Sequence, residues 1–266
     1  MKLISLNVAL FETNNEKLYQ FLLDQEPDIV CLQEVALSID PKVVKDYLSK
    51  DFIDKATKKL THSFFSSTWL SKDFHLKNFH KKEDYFIDFG GWIESGIYVK
   101  SRFEMLKTAN IFLKNNFGPM TEWTNWPENE VKSVQVVDLI LSGNKKLRIL
   151  NYHGIWTKEK IGNKETLKAC KKINQLAREV NYPTIIAGDF NLFPDSESMK
   201  VFNKHFISLV DQHNIQTTRP ESNELSHLKR NVIDFILISK GVKVNSFEVL
   251  DSDVSDHLPL ILDFEL

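Results

Sequence analysis

The chain has 266 residues, 42% hydrophobic and 26% charged, with 34 basic side chains against 36 acidic ones. No apolar run approaches the ~20 residues of a membrane-crossing helix, and two cysteines cannot make a disulfide scaffold. A net charge of -2 lacks the basic surplus of a protein coated for sequence-independent nucleic-acid binding, although a local basic groove is compatible with it.

Residues 3–7 form an apolar run ending in Asn7 and predict a strand. Residues 15–25 set Leu18, Phe21, Leu22 and Gln25 at helical spacing, and Pro27 closes that helix. A second apolar run, 28–34, ends in Glu34, so the opening unit reads strand, helix, strand. The N-terminus has the look of a short leader, but Ser5 and Asn7 interrupt it and no cleavage pattern follows, which points to a cytoplasmic protein. Asp40-Pro41 reads as a cap with a first-turn proline, opening a helix that turns Val43, Val44, Tyr47 and Leu48 inward.

From Ser63 the period shifts to that of strands, at 64–69, 85–89 and 93–99. Residues 71–82 interleave basic side chains with Phe74 and Phe79. That mix suits a surface that grips phosphates and stacks bases or covers lipid, and a solvated loop with two packed phenylalanines fits it as well. Strands follow at 103–113 and 131–141, and Ser142-Gly143-Asn144-Lys145 turns the second into 146–150. A helix at 164–179 buries Leu167, Cys170, Ile173, Ala177 and Val180. A strand then ends at Gly188, a helix runs over 196–205, and strands at 232–238, 242–249 and 257–264 finish the chain. Cys31 and Cys170 both fall on buried faces and read as free thiols. Trp123, Trp126 and Trp156 fall in predicted loops, where aromatic side chains serve recognition or pack under sheet edges. Many strands with few helices between them predict two packed sheets with helices outside.

Polar side chains end several of these apolar runs: Asn7, Gln33-Glu34, Gly188-Asp189-Phe190-Asn191 and Ser255-Asp256-His257. Strand ends are where a rigid scaffold can aim polar groups at one point. Acids, amides and imidazoles are ligands and proton handlers around a hydrated hard cation, which suggests metal-assisted attack of water on a phosphate ester. Asp234, inside Val232-Ile233-Asp234-Phe235-Ile236, needs a partner wherever it is buried, and His153 ends its own strand.

Taken in order, Asn7, Gln33-Glu34, His153, Gly188-Asp189-Phe190-Asn191, Asp234 and Ser255-Asp256-His257 resemble the endonuclease/exonuclease/phosphatase superfamily of DNase I-like, metal-dependent phosphodiesterases. The resemblance implies an α+β fold, a four-layer α/β/β/α sandwich of two packed mixed sheets with the site at one end. Because that site draws on both ends of the chain, residues 1–266 are expected to be a single domain. It further implies Glu34 as principal metal ligand, with Asn7 and Asp256 supplying further oxygens to Mg2+, for which Mn2+ can substitute. Asp189 is expected to orient and deprotonate the attacking water, with Asn191 holding water or a phosphate oxygen. The bland alternative for that pair is an Asx turn before Pro194. His257 is expected to contact the scissile phosphate, held by Asp234, which raises its pKa and fixes its tautomer. His153 is expected to stabilise pentavalent phosphorus or protonate the leaving oxygen. Glu94 stands where DNase I-like enzymes place the acid of the first histidine, so Glu94–His153 and Asp234–His257 are expected as two parallel acid–imidazole dyads.

Departures from subfamily patterns narrow the substrate. The abasic-site endonucleases carry Asn-x-x-Gly-Leu-Arg where this chain has Asn7-Val8-Ala9-Leu10-Phe11, and an aromatic pair where it has Ser252-Asp253-Val254. The inositol 5-phosphatases continue Gly-Asp-x-Asn with Tyr-Arg, replaced here by Leu192-Phe193. The tyrosyl-DNA phosphodiesterases begin Thr-Trp-Asn, replaced by Ser5-Leu6-Asn7. What remains is a phosphodiester substrate, nucleic acid ahead of a membrane-lipid headgroup or small phosphoester. A catalytically dead binding module is the reading from outside enzymology, and binding alone would not require both histidines and every motif acid.

Overall fold

Residues 2–7 do form a strand, β1 (Lys2–Asn7), which turns Ile4 and Leu6 to one face and Leu3 and Ser5 to the other. The computed structural model describes residues 1–10, 14–43, 48–76, 85–120, 127–221 and 230–266. Helix α1 (Asn15–Gln25) begins where the Asn14 side chain accepts the Glu16 and Lys17 N–H groups, both at 3.1 Å, and ends at Glu26 in a left-handed conformation (φ 45) before Pro27. The chain continues through β2 (Ile29–Leu37), α2 (Ser49–Ala56), β3 (His62–Leu76), β4 (Tyr85–Ser101), β5 (Glu104–Lys114), β6 (Gly118–Pro119) and β7 (Lys132–Ile140). Then come β8 (Lys146–His153), α3 (Lys164–Ala177), β9 (Thr184–Asp189), β10 (Phe206–Ser208), α4 (Leu209–Gln212), β11 (Asp234–Ser239), β12 (Lys243–Val249) and β13 (Leu260–Glu265).

Two mixed sheets result. The first runs β12-β13-β1-β2-β4-β3-β6 and the second β10-β11-β9-β8-β7-β5. Leu3, Ile29, Cys31 and Val99 of the first sheet share one apolar cluster with Val137, Leu147, Ile149 and Ile185 of the second, all fully buried. On the outer face of the first sheet, Ile4, Leu6, Val30 and Leu32 pack with Leu18 and Leu22 of α1 and Ile53 of α2. Helix α3 buries Cys170, Ile173 and Leu176 against the second sheet. These are the four layers the resemblance implies. Both cysteines are buried free thiols, and burial pushes Cys170 up to about 12.

A buried amide network crosses between the sheets. Gln33 Nε2 donates to Asn151 Oδ1 at 2.7 Å, and Asn151 Nδ2 donates to Leu32 O at 3.0 Å and Gln135 Oε1 at 3.1 Å. Gln135 Nε2 in turn donates to Phe64 O at 2.7 Å. All three amides are fully buried, and each amide nitrogen is hydrogen-bonded, as buried polar groups generally are.

Several expected elements differ. The expected strands 64–69, 85–89 and 93–99 belong to two long ones, β3 and β4, paired from His62–Ser101 out to Leu76–Tyr85. The expected basic-aromatic loop is therefore strand over Ser71–Leu76, and its remaining residues, 77–82, lie outside the described residues, as do Trp123 and Trp126. After Pro41 the described chain turns, with Asp40 Oδ1 accepting the Lys42 N–H at 3.0 Å, and Val44 and Tyr47 of the expected helix lie outside the described residues; α2 starts at Ser49, whose Oγ accepts from Ala36 N at 2.9 Å. Over 196–205, bonds of the i→i+3 kind (Met199 to Ser196, Phe202 to Met199, His205 to Phe202) give successive 3₁₀ turns rather than an α-helix. Among the described residues no helix is long and apolar enough to cross a membrane.

Candidate active site

Strand register assembles the site before any side chain is considered. In the second sheet His153 pairs with Asp189 across β8–β9, and Asp189 pairs with Asp234 across β9–β11, so the three form one row with Asp189 in the middle. In the first sheet Asn7 pairs with Gln33 across the parallel β1–β2 ladder. The two rows face each other at one end of the sandwich. Gly188 allows this: its φ is 142, and a Cβ there would lie 1.9 Å from Tyr152 O, so any side chain would push β9 off β8.

Strand β2 does not stop at Glu34, as its apolar run suggested. Val35, Ala36 and Leu37 continue it, and Gln33 and Glu34 together fall between the Leu32–Tyr98 and Val35–Gly96 pairs, opposite the single Ile97. Glu34 is the bulged residue, at φ 56, a conformation costing a non-glycine residue about 1–3 kcal/mol that clusters at functional sites. The bulge re-aims the carboxylate out of the ladder toward the row of the second sheet. Asn191, at φ 55, is held likewise: its backbone N–H donates to Asp189 Oδ1 at 2.8 Å. This is the Asx turn foreseen as the bland alternative, and it coexists with convergence on one point.

That point is Asp189 Oδ2. Asn7 Nδ2 and Asn191 Nδ2 donate to it, each at 3.2 Å, while His257 Nε2 and His153 Nε2 stand 3.7 and 3.8 Å away. Asn7 Nδ2 also donates to Glu34 Oε1 at 3.0 Å, and Glu34 Oε1 lies 3.5 Å from His153 Nε2. Asp256 Oδ1 is 3.8 Å from His257 Nε2. The Ser255 hydroxyl donates to Asn7 O at 2.7 Å, tying the Ser-Asp-His segment to the end of β1. Asp234 and His257 pair as expected, His257 Nδ1 lying 2.8 and 3.0 Å from the two carboxylate oxygens, and the Thr218 hydroxyl braces Asp234 Oδ2 at 2.7 Å.

Glu94 and His153 are not brought together. The Glu94 carboxylate accepts from the Ser67 hydroxyl of β3. Strand alternation sets it on the β4 face of Tyr98, whose hydroxyl reaches Asp54 of α2 at 2.7 Å. The second acid–imidazole dyad is therefore absent from the described residues. His153 Nε2 instead lies 3.0 Å from Lys132 Nζ, which Glu130 Oε2 neighbours at 3.5 Å.

Sequence reasoning also missed Lys160 and Arg219. Lys160, in the loop after β8, is 4% exposed, sits at φ 56 and donates from Nζ to Asn191 Oδ1. Arg219 Nη1 donates to Asp256 Oδ2 at 2.8 Å and Asp256 O at 2.9 Å. Lys132 had a signal, a lysine inside the apolar run from Val131 to Val137. Lys160, between Glu159 and Ile161, and Arg219, before Pro220, had none.

The charges set the titration of the site. Burial and Arg219 oppose protonation of His257, but Asp234, Asp256 and Asp189 together raise its pKa. Burial, reinforced by Lys132, holds His153 well below its ordinary value, so it is neutral. Burial opposes ionisation of Asp189, yet the His257, Arg219 and Lys160 charges keep it ionised. Burial pushes Lys160 down to about 7. Burial likewise raises Glu34, with Asp256 adding like-charge repulsion.

That repulsion bears on a metal. Glu34 and Asp256 are hard oxygen donors in electrostatic contact, and a divalent ion between them would relieve both burial and repulsion, so the donor chemistry fits one. Asn7 contributes less directly than expected: its Oδ1 accepts from Ala9 N at 2.9 Å, so the amide nitrogen faces the acids. Among the described residues the geometric trio with ligand atoms within 4.8 Å of one another is Asp189, Asp234 and His257. There the Asp234–His257 hydrogen bond already occupies the ring nitrogen and carboxylate, which favours the Glu34–Asp256 side.

Comparison with known proteins agrees with this geometry. A family model, the endonuclease/exonuclease/phosphatase family, matches residues 4–257. An endonuclease/exonuclease/phosphatase from Bacteroides vulgatus has the same fold (TM-score 0.69, 16% identity, covering 100% of this chain and 98% of that one). So do the human nocturnin catalytic domain (TM-score 0.66, 18% identity, 100% and 93%) and a mannosyl-6-phosphatase from Bacteroides thetaiotaomicron (TM-score 0.65, 14% identity, 100% of both). A search of curated protein sequences finds no match. The two-sheet sandwich and the motifs in their expected order carry one conclusion: the chain belongs to the endonuclease/exonuclease/phosphatase family.

Proposed function

We propose that the protein is a magnesium-dependent phosphodiesterase, with nucleic acid the favoured substrate, using Asp189, Asn191, His153, His257 and Asp234 for the chemistry. The observation that carries this is the convergence of two amides and two imidazoles on Asp189 Oδ2 within 3.8 Å. An ionised carboxylate so surrounded aligns a water molecule and accepts its proton as the water oxygen bonds to phosphorus and the bond to the departing ester oxygen breaks, that oxygen taking a proton from solvent. Asn191 and Asn7 fix the direction of that carboxylate through N–H donation.

His257, kept cationic by Asp234, donates from Nε2 to a phosphoryl oxygen and offsets the charge that builds on it. On the other side the charge is carried by Lys132, since His153 is neutral and accepts at Nε2. Glu34 and Asp256 would hold Mg2+, or Mn2+ in its place, with Asn7 beside them. The ion supplies Lewis-acid polarisation of the phosphoryl oxygen. Glu94, hydrogen-bonded to Ser67, drops out of this arrangement.

A second reading, a small-molecule phosphatase, is favoured by the fold shared with a mannosyl-6-phosphatase. A panel of plasmid DNA, RNA, sphingomyelin, sugar and inositol phosphates and a bis-aryl phosphodiester, each with Mg2+ and with EDTA, separates the readings. EDTA-sensitive turnover of nucleic acid or the diester is expected. Turnover confined to sugar phosphates would move the assignment to the second reading, and turnover of sphingomyelin alone would move it to lipid. Metal binding without any turnover would identify a binding module.

A further inference from the structure

Lys160 is a buried cation without a counter-anion. It leaves the loop between β8 and α3, where its carbonyl accepts from Phe193 N at 2.8 Å and its own N–H donates to Thr157 O at 3.2 Å, so the backbone is pinned on both sides. The side chain turns inward to 4% residual exposure. Its ammonium group has three donors. One is used on the neutral Asn191 Oδ1, and the charge rests 4.7 Å from the centre of the Trp156 ring. Among the described residues no carboxylate lies within the 4.0 Å of an ion pair to Nζ. Asp189, the acid that acts on it most strongly, does so from beyond contact. The other cations at the site differ: Arg219 is paired with Asp256, His257 with Asp234, and Lys132 is neighboured by Glu130.

Keeping a buried amine charged without a partner costs several kcal/mol, a cost that an anion arriving from outside offsets by pairing with the ammonium. The Asn191 amide, held by donation from its Nδ2 to Asp189 Oδ2 at 3.2 Å, already turns its oxygen to the ammonium, and it brings no negative charge. Resting on the phosphoesterase reading, we propose that Lys160 is a substrate-binding residue that donates to a non-bridging oxygen of the substrate's phosphoryl group, on the Asn191 side of Asp189. The phosphoryl group supplies the anion that the fold withholds, and Trp156 and Asn191 hold the ammonium in place until it binds.

Calorimetric titration of the intact protein in EDTA tests this without turnover. The probes are inorganic phosphate and dimethyl phosphate, applied to wild type, Lys160→Met and Lys160→Arg. Wild type is expected to bind, Lys160→Met about 10- to 100-fold more weakly, the range for losing one charge-assisted hydrogen bond, and Lys160→Arg close to wild type. Weakening of both probes supports a diester substrate, and weakening of inorganic phosphate alone supports a terminal monoester; either upholds the role of Lys160. Wild type that binds neither probe, or Lys160→Met that binds both as wild type does, would overturn it. So would a Lys160→Met protein that fails to fold, since the lysine would then be structural. Turnover of the bis-aryl phosphodiester by wild type is scored separately. Lys160-dependent anion binding without turnover removes only the hydrolase reading, and turnover with unchanged anion binding removes only the lysine's role.

Discussion

The two histidines flank Asp189 Oδ2 almost symmetrically, at 3.7 and 3.8 Å, but their surroundings are opposite. Burial lowers the pKa of both rings; at His257 the acids Asp234, Asp256 and Asp189 outweigh it and the pKa is raised, whereas at His153 Lys132 adds to it and the pKa is well lowered. One side of the site therefore offers a charged donor and the other a neutral acceptor with a lysine behind it. Two imidazoles at equal range are not interchangeable, because the second neighbour, not the ring, sets the charge.

The sharpest test of that contrast is His257→Ala, expected to lower turnover of the diester by about 10²- to 10⁴-fold. Wild-type rates in that variant would remove the charged histidine from the chemistry. Asp234→Asn should come next. Loss of the carboxylate lowers the pKa of His257, so its NMR titration and the alkaline limb of the rate profile both move to lower pH, while His153 stays where it is. Movement of both rings together would show that they are not separately set.

Lys132→Met should act on the other ring alone. With the cation gone, the His153 pKa rises, and turnover falls less than in either preceding variant. Glu94→Gln, by contrast, should leave both titrations and turnover as in wild type; a shift in His153 would restore the expected Glu94–His153 dyad in place of the Ser67–Glu94 hydrogen bond.

The smallest effect concerns stability. Lys160 has a folded pKa of about 7 against 10.5 for a free lysine, so between those values the unfolded chain binds the extra proton and stability rises with pH. The cost is fully present at pH 7 and below and fades toward pH 10. Lys160→Met should accordingly melt about 10 °C above wild type at pH 7, with the gap closing toward pH 10. A gap independent of pH would mean that the ammonium is not what destabilises the fold.

Most of the site could be read from the sequence because its acids, amides and His257 follow apolar runs, where an unpaired polar group has no structural excuse. Asn7 and Asp189 are the last residues of β1 and β9, and Asp256 lies in the segment between β12 and β13. Glu34 could be read as an acid but not as a bulge, although Val35-Ala36-Leu37 carried the warning that the strand went on. Glu94 was misplaced because spacing along a strand says how far a residue lies from a motif, not which face it occupies in a long twisted hairpin. Lys160 and Arg219 could not be read, since a lysine in a polar loop looks solvated until the fold closes over it.

The buried amides Gln33, Asn151 and Gln135 have a consequence for how the halves of the enzyme stay aligned. Greasy faces stacked on one another resist separation far better than they resist sliding, since contact between hydrocarbons has no preferred offset. By locking onto carbonyls of Leu32 and Phe64, the amides work like a key in a slot and forbid that slide. Replacing all three with leucines is expected to leave a protein that melts no lower, yet whose two rows of site residues drift past each other and never meet in step.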